Sequence, residues 1–144
     1  MTTPIVRHYQ SMDYGGVVAL WEDVFPNEPS WNQSNTLINL KLTVQPELFL
    51  VCLLDGQIVG TTIAGFDGVR GWVHKVGTSP AHRRFGVARL LMDAAEQGLR
   101  ELGCHKINLQ VRTDNENAIE FYKEAGYKVE DRVSMCKRIG TLSE

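Results

Sequence analysis

The chain has 144 residues, 43% of them hydrophobic and 22% charged, with a formal net charge of −2. That length suits a single domain, residues 1–144, with a substantial core, and the slight acidity argues against a nucleic-acid binder, which needs a basic footprint. No unbroken apolar run stands near the N-terminus, so neither a signal peptide nor a membrane span is expected and a cytoplasmic location is.

Pro4 to His8 reads as a short first strand. Ser11 or Asp13 suits the cap of a helix running to about Val24, whose apolar side is Val17, Val18, Leu20, Trp21 and Val24; Gly15-Gly16 weakens its first turn. Phe25 to Trp31 holds two prolines and reads as a loop. A second helix is predicted from about Ser34 to Val44, stopped by Pro46. Leu48 to Leu54 does not alternate, so it is expected as a strand buried on both faces. Asp55-Gly56 signals a two-residue hairpin into Gln57–Phe66, and Asp67-Gly68 a second tight turn into Gly71–Thr78. After a long central helix come a strand at 106–111, a helix at about 117–125 and a final strand at about 128–136. Residues 140–144 are expected to fray. No repeat, linker or low-complexity tract interrupts this order.

The chemistry gathers at Val76–Leu102. Ser79-Pro80 ends the strand, because proline gives no N–H to a ladder and biases its predecessor away from helix. The basic turn His82-Arg83-Arg84-Phe85-Gly86 follows. Then Val87, Leu90, Leu91, Ala94, Ala95, Leu99 and Leu102 recur at helical spacing, and Gly103 stands where a C-terminal cap glycine belongs. The first amides of such a helix lack intrahelical partners and attract anions. Gly86 and Ala88 let a phosphate approach the backbone, and Arg83 and Arg84 supply charge suited to it. On spacing alone, a surface turn with solvated arginines reads equally well.

Arg83-x-x-Gly86-x-Ala88, between a strand and an amphipathic helix, resembles the acetyl-CoA pyrophosphate loop of the GNAT N-acetyltransferase superfamily. Asn115-x-x-Ala118-Ile119-x-Phe121-Tyr122-x-x-x-Gly126-Tyr127 resembles that family's second block. Leu20-Trp21-Glu22, the Trp31-Asn32 pair and Phe66-Asp67-Gly68-Val69-Arg70-Gly71 are similar to its small bacterial YpeA-type members. Arg84 stands where many members have glycine and Phe85 where a basic residue is common, but neither change removes a backbone donor. The resemblance implies an α/β (α+β) GNAT fold in the order β-α-α-β-β-β-α-β-α-β. Its mixed central sheet would have about six to seven strands and splay between the fourth and fifth.

The resemblance also implies a function: acetyl transfer from acetyl-CoA to a primary amine of a small molecule, peptide N-terminus or lysine, by direct attack in a ternary complex. Val76, Gly77 and Thr78 would line the pantetheine arm. Arg83, Arg84, Phe85, Gly86, Val87 and Ala88 would hold the pyrophosphate, and Asn115 would touch the cofactor. Tyr122 would protonate the leaving thiolate; on residues alone it reads as a packed aromatic. A fourth-strand amide would polarise the thioester carbonyl.

The base stays open. Gln110 holds a position where some relatives have glutamate, leaving His74, Glu22, Asp67 or a chain of waters. Trp31 reads equally as a wall of the acceptor site or a packed loop aromatic. Homodimerisation, common in the family, is an expectation of the same kind. The rival reading is a non-catalytic module that senses CoA or binds a partner. Residues 1–69 carry two basic and seven acidic side chains, residues 70–144 thirteen and ten, a polarity suited to a cationic acceptor meeting an anionic cofactor. No metal is expected, since the four histidines lack ligand spacing. Cys52, Cys104 and Cys136 form no C-x-x-C pair and read as reduced thiols. Cys104 beside His105 is a poor nucleophile pair, because strand neighbours point apart. A nucleotide P-loop is missing from the sequence.

Overall fold

A computed structural model of the chain describes residues 3–29 and 32–140. Its elements are β1 (Ile5–His8), α1 (Tyr14–Val24), α2 (Ser34–Lys41), β2 (Phe49–Leu54), β3 (Gln57–Phe66), β4 (Gly71–Thr78), α3 (Val87–Glu101), β5 (Ile107–Leu109) and α4 (Glu116–Glu124). The strands form one mixed sheet in the order β1-β2-β3-β4-β5, antiparallel except for the parallel β4–β5 pair. The Asp55-Gly56 turn has both residues at positive φ (53° and 74°), as a two-residue hairpin requires.

β2 explains why its sequence does not alternate. Leu50, Cys52 and Leu54 face α3, where Val87, Leu91, Met92, Ala95 and Leu99 complete one core. Phe49 and Val51 face the other way, onto Val17, Leu20 and Trp21 of α1 and Ile38 of α2. Helices on both sides of one sheet therefore bury both faces of its central strands. Gly16 belongs to this packing, since a Cβ there would stand 2.8 Å from Ile58 Cγ1. α3 and α4 end alike. Cys104 N–H reaches the Leu99 carbonyl and Gly103 N–H the Arg100 carbonyl; Tyr127 reaches Tyr122 and Gly126 reaches Lys123. These are paired Schellman closures, with Gly103 and Gly126 in the left-handed region.

Several expectations are corrected. The sheet has five strands, not six to seven, because Lys128–Cys136 forms neither strand nor helix. Side chains hold that segment beside β5: Glu130 accepts from Lys106 and from Asn108 (2.6 Å), and Gln110 donates to Ser134. Those bonds anchor it without a backbone ladder and leave Val129, Val133 and Met135 exposed. β5 itself is shortened to Ile107–Leu109, the only residues in register with β4. α2 ends at Lys41 rather than Val44, as Thr43 turns back with both its amide and its hydroxyl onto the Leu40 carbonyl. Ser11–Asp13 is a 3-10 turn ahead of α1.

Asp13 is buried, and its carboxylate accepts from Arg7 (2.7 and 2.9 Å) and from the Gln10 amide (2.8 Å). The Arg7 hydrogen bond leads in holding it below the ordinary carboxylate value. A carboxyl with a depressed folded value contributes stability that is fully present above its unfolded value and is lost as pH falls toward the folded one. We expect Asp13→Asn to lower the melting temperature at pH 7, and the gap from wild type to narrow below about pH 4. A gap independent of pH in a melting series would show that the pair contributes nothing.

Candidate functional site

β4 carries the site. Gly71, Trp72 and Val73 pair with β5, but beyond Val73 the edge of β4 that faces β5 has no strand partner. β4 and β5 thus share only three register pairs, at the start of β4. On the other edge, Thr61 pairs with Gly77 and Ile63 with His74, so Lys75 and Val76 together stand opposite Thr62. This is a bulge, with Lys75 at φ 53°, and it takes backbone groups near Val76 out of the ladder. A buried chain of bonds pins it: Trp21 Nε1 donates to Thr61 Oγ1 (2.9 Å), and that hydroxyl donates to the Lys75 carbonyl (2.9 Å).

After Thr78 the chain turns sharply. The Ser79 amide donates to the Val59 carbonyl and the His82 amide to the Ser79 carbonyl, both at 2.8 Å. Pro80–Phe85 forms a 3-10 turn, and Gly86 (φ 71°, ψ 21°) opens α3. The first bond within α3 runs from Leu90 N–H to the Gly86 carbonyl, so the amides of Val87, Ala88 and Arg89 precede the helical ladder. A Cβ at Gly86 would meet nothing within 4 Å, which leaves room beside those amides. Arg83, Arg84 and Phe85 are exposed, and neither arginine has an ion-pair partner among the described residues. An open bend with free donors and two uncommitted guanidinium groups fits a diphosphate.

Asn115 and Tyr122 lie on a different element. Asn115 is the N-cap of α4, its side-chain oxygen accepting from the Ala118 amide (3.2 Å). That bond gives it a structural role and leaves its amide NH2 free. Tyr122 is half-buried, packed edge-on to Phe121 and Tyr127, and burial pushes its phenol up to about 12. Its hydroxyl has no hydrogen-bond partner among the described residues, whereas Tyr127 donates to Glu96 (2.7 Å). Val76 and Tyr122 pack on the same core cluster, which contains Val87. Tyr122 also lines an open cleft of about 1470 Å³ bounded by β5, α4 and the 128–134 segment.

The base candidates separate. Asp67 accepts from the Val69 and Arg70 amides (2.8 Å each) at the start of β4, about 23 Å of strand from Thr78. Gln110 spends its amide on Ser134. His74 is held below its ordinary value, first by desolvation and then by Lys41 and Lys75, so its ring favours the neutral form. Glu22 lines a second cleft, of about 510 Å³, with Tyr14, Trp21, Phe25, Glu28 and Lys75. Trp31 lies outside the described residues. Glu28 and Lys75 were not singled out from the sequence. Lys75 left one trace there, a charge inside the apolar run Trp72–Val76; Glu28, between two prolines, left none.

A family model described as the acetyltransferase (GNAT) family matches residues 10–127. The chain belongs to that family. An acetyltransferase of Yersinia pestis (strain Pestoides F) is 37% identical over 134 residues, 93% of this chain and 94% of its own length. One from Sodalis glossinidius is 38% identical over 128 residues, 89% of each chain. Among solved structures, Ard1 from Thermoplasma volcanium superposes with a TM-score of 0.78 at 27% identity, covering 89% of this chain and 84% of its own. Aminoglycoside N-acetyltransferase AAC(6')-Iy in complex with CoA gives a TM-score of 0.78 at 16% identity, with 96% coverage of each, and so shares the GNAT fold. Membership makes this GNAT chain an acetyl-transferring enzyme. Among its described residues no helix is long and apolar enough to cross a membrane, and no group of three or more His, Cys, Asp or Glu could hold a metal ion.

Proposed function

We propose that residues 1–144 form one domain that moves an acetyl group from acetyl-CoA to a primary amine, both substrates being bound together. The observation that carries this reading is the open bend from Arg83 to Ala88, with unladdered amides at the head of α3 and space at Gly86. When bound, acetyl-CoA supplies the acetyl thioester. Arg83, Arg84, the Gly86 backbone and the amides of Phe85, Val87 and Ala88 grip its diphosphate. The unpaired edge of β4, at Val76, Gly77 and Thr78, lies against the arm as a neighbouring strand would, and the free amide of Asn115 donates to it.

The acceptor nitrogen bonds to the acetyl carbon while the C–S bond breaks, and Tyr122 gives its proton to the departing sulfur. The nitrogen's own proton passes to solvent. A bulge amide near Val76 faces the carbonyl oxygen as negative charge grows there. Tyr122, near 12, keeps its proton at any physiological pH. The same dry surroundings penalise a thiolate formed beside it, as burial does to the Cys52 thiol, pushed to about 11.

Binding linkage tests the cofactor step. Acetyl-CoA at about a hundred times its Kd should stabilise the fold by about 2.7 kcal/mol, read as a rise in melting temperature. No rise from a folded protein at millimolar cofactor overturns the reading. If the rise occurs but no amine in a broad screen releases CoA, the chain is a CoA-sensing module instead.

A further inference from the structure

Lys75 stands out as an ammonium buried where a strand residue is normally apolar. Its side chain is 8% exposed, and Nζ lies 2.7 Å from Glu28 Oε1. The same nitrogen sits 4.4 Å from the centre of the Phe25 ring and 5.5 Å from that of Trp21. One carboxylate and two aromatic faces around a single cation make a cage for an alkylammonium group. The backbone bears a strained left-handed φ to place it there.

The cage adjoins the reacting end of β4. A Cβ at Gly77 would stand 2.9 Å from the Phe25 ring, so that ring packs against the strand two residues beyond Lys75, a separation of about 7 Å. The surrounding cleft of about 510 Å³ is open to solvent, and Glu22 on its wall makes carboxylates outnumber ammonium groups there.

We propose that this cage is the subsite for a second, non-reacting alkylammonium group of the acceptor, and that Lys75 occupies it until the acceptor arrives. The acceptor class is then short aliphatic diamines and their substituted relatives: one nitrogen attacks while the other is held by Glu28, Phe25 and Trp21. The inference rests on the acetyl-transfer reading above and names the acceptor for it. The chain's own lysine is the evidence for what the cage recognises. An incoming ammonium makes the same contacts, and the displaced Lys75 regains water.

The test uses cadaverine against n-pentylamine, equal in length and differing by one ammonium. In the wild-type chain, an amine-acylating reagent read by mass spectrometry should label Lys75 slowly, and several-fold faster with saturating cadaverine but not with pentylamine. In Lys75→Met, which vacates the cage, calorimetry should show cadaverine binding about tenfold tighter, some 1.4 kcal/mol, and Glu28→Gln added to it should abolish the gain. Labelling that cadaverine leaves unchanged, or equal affinity for the two amines, overturns the proposal. If Lys75→Met does not fold, the wild-type labelling decides alone. Neither readout needs turnover. Acetyl-CoA stabilisation without diamine binding refutes the cage only, and diamine binding without acetyl-CoA stabilisation refutes the cofactor reading only.

Discussion

Tyr122→Phe lowers the turnover number about a hundredfold, the usual worth of one positioned general acid, and leaves the stabilisation by acetyl-CoA within a degree of wild type. The two effects separate because the phenol and the bend at Arg83–Ala88 lie on different elements, α4 and the β4–α3 junction. The ring stays, so its edge contacts with Phe121 and Tyr127 are kept. Among the described residues the hydroxyl has no partner to abandon, unlike that of Tyr127. Folding stability should therefore barely change, and the loss can be assigned to proton donation. Since burial holds Tyr122 near 12, wild-type turnover should show no alkaline fall from this group below about pH 11. Steady-state kinetics across pH with both proteins gives the answer, and equal turnover in the two would remove Tyr122 from the chemistry. A parallel loss of cofactor stabilisation would instead make it a binding residue.

Leu91→Ala costs about 3 kcal/mol, within the range for a buried leucine cut to alanine, and lowers the melting temperature by about 10 °C for a chain of this size. Leu91 is fully buried and lies against Gly60 of β3, where a Cβ would come within 2.9 Å of its Cδ1. That close approach seats the first two turns of α3 on the sheet, and with them the bend at Gly86. We therefore expect weakened acetyl-CoA stabilisation beyond the loss in fold stability. Leu90, next in sequence but 40% exposed, is the control: Leu90→Ala should cost under about 1 kcal/mol. Equal losses at the two positions in denaturant unfolding would mean that α3 presents a different face to the sheet.

The parts of this protein governed by near neighbours were legible from the residues alone. Asp55-Gly56 specifies its hairpin because only certain residues accept two consecutive positive φ angles. Gly103 closes α3 for the same reason, and the 3.6 spacing picks out Val87, Leu91, Ala95 and Leu99, which are buried, but also Leu90 and Leu102, which are 40% and 42% exposed. The two GNAT blocks also lie in continuous stretches, so the family could be named from them. Less was available where contacts span the chain. The segment at 128–136 has the composition of a strand, but partners 22 to 24 residues away, Lys106, Asn108 and Gln110, hold it through side chains.

Lys75 makes the division clear. Its identity places a cation in an apolar strand, and no local rule says why. Glu28, 47 residues earlier, neutralises it, and the Trp21 indole, 40 residues from Thr61, fixes the bulge through that hydroxyl. Turns, caps and the bend at Gly86 were determined by sequence, since each depends on backbone freedom within a few residues. The cation cage, the short pairing of β4 with β5 and the number of strands were decided only by tertiary structure, because burial and pairing energies depend on which distant groups the fold brings together.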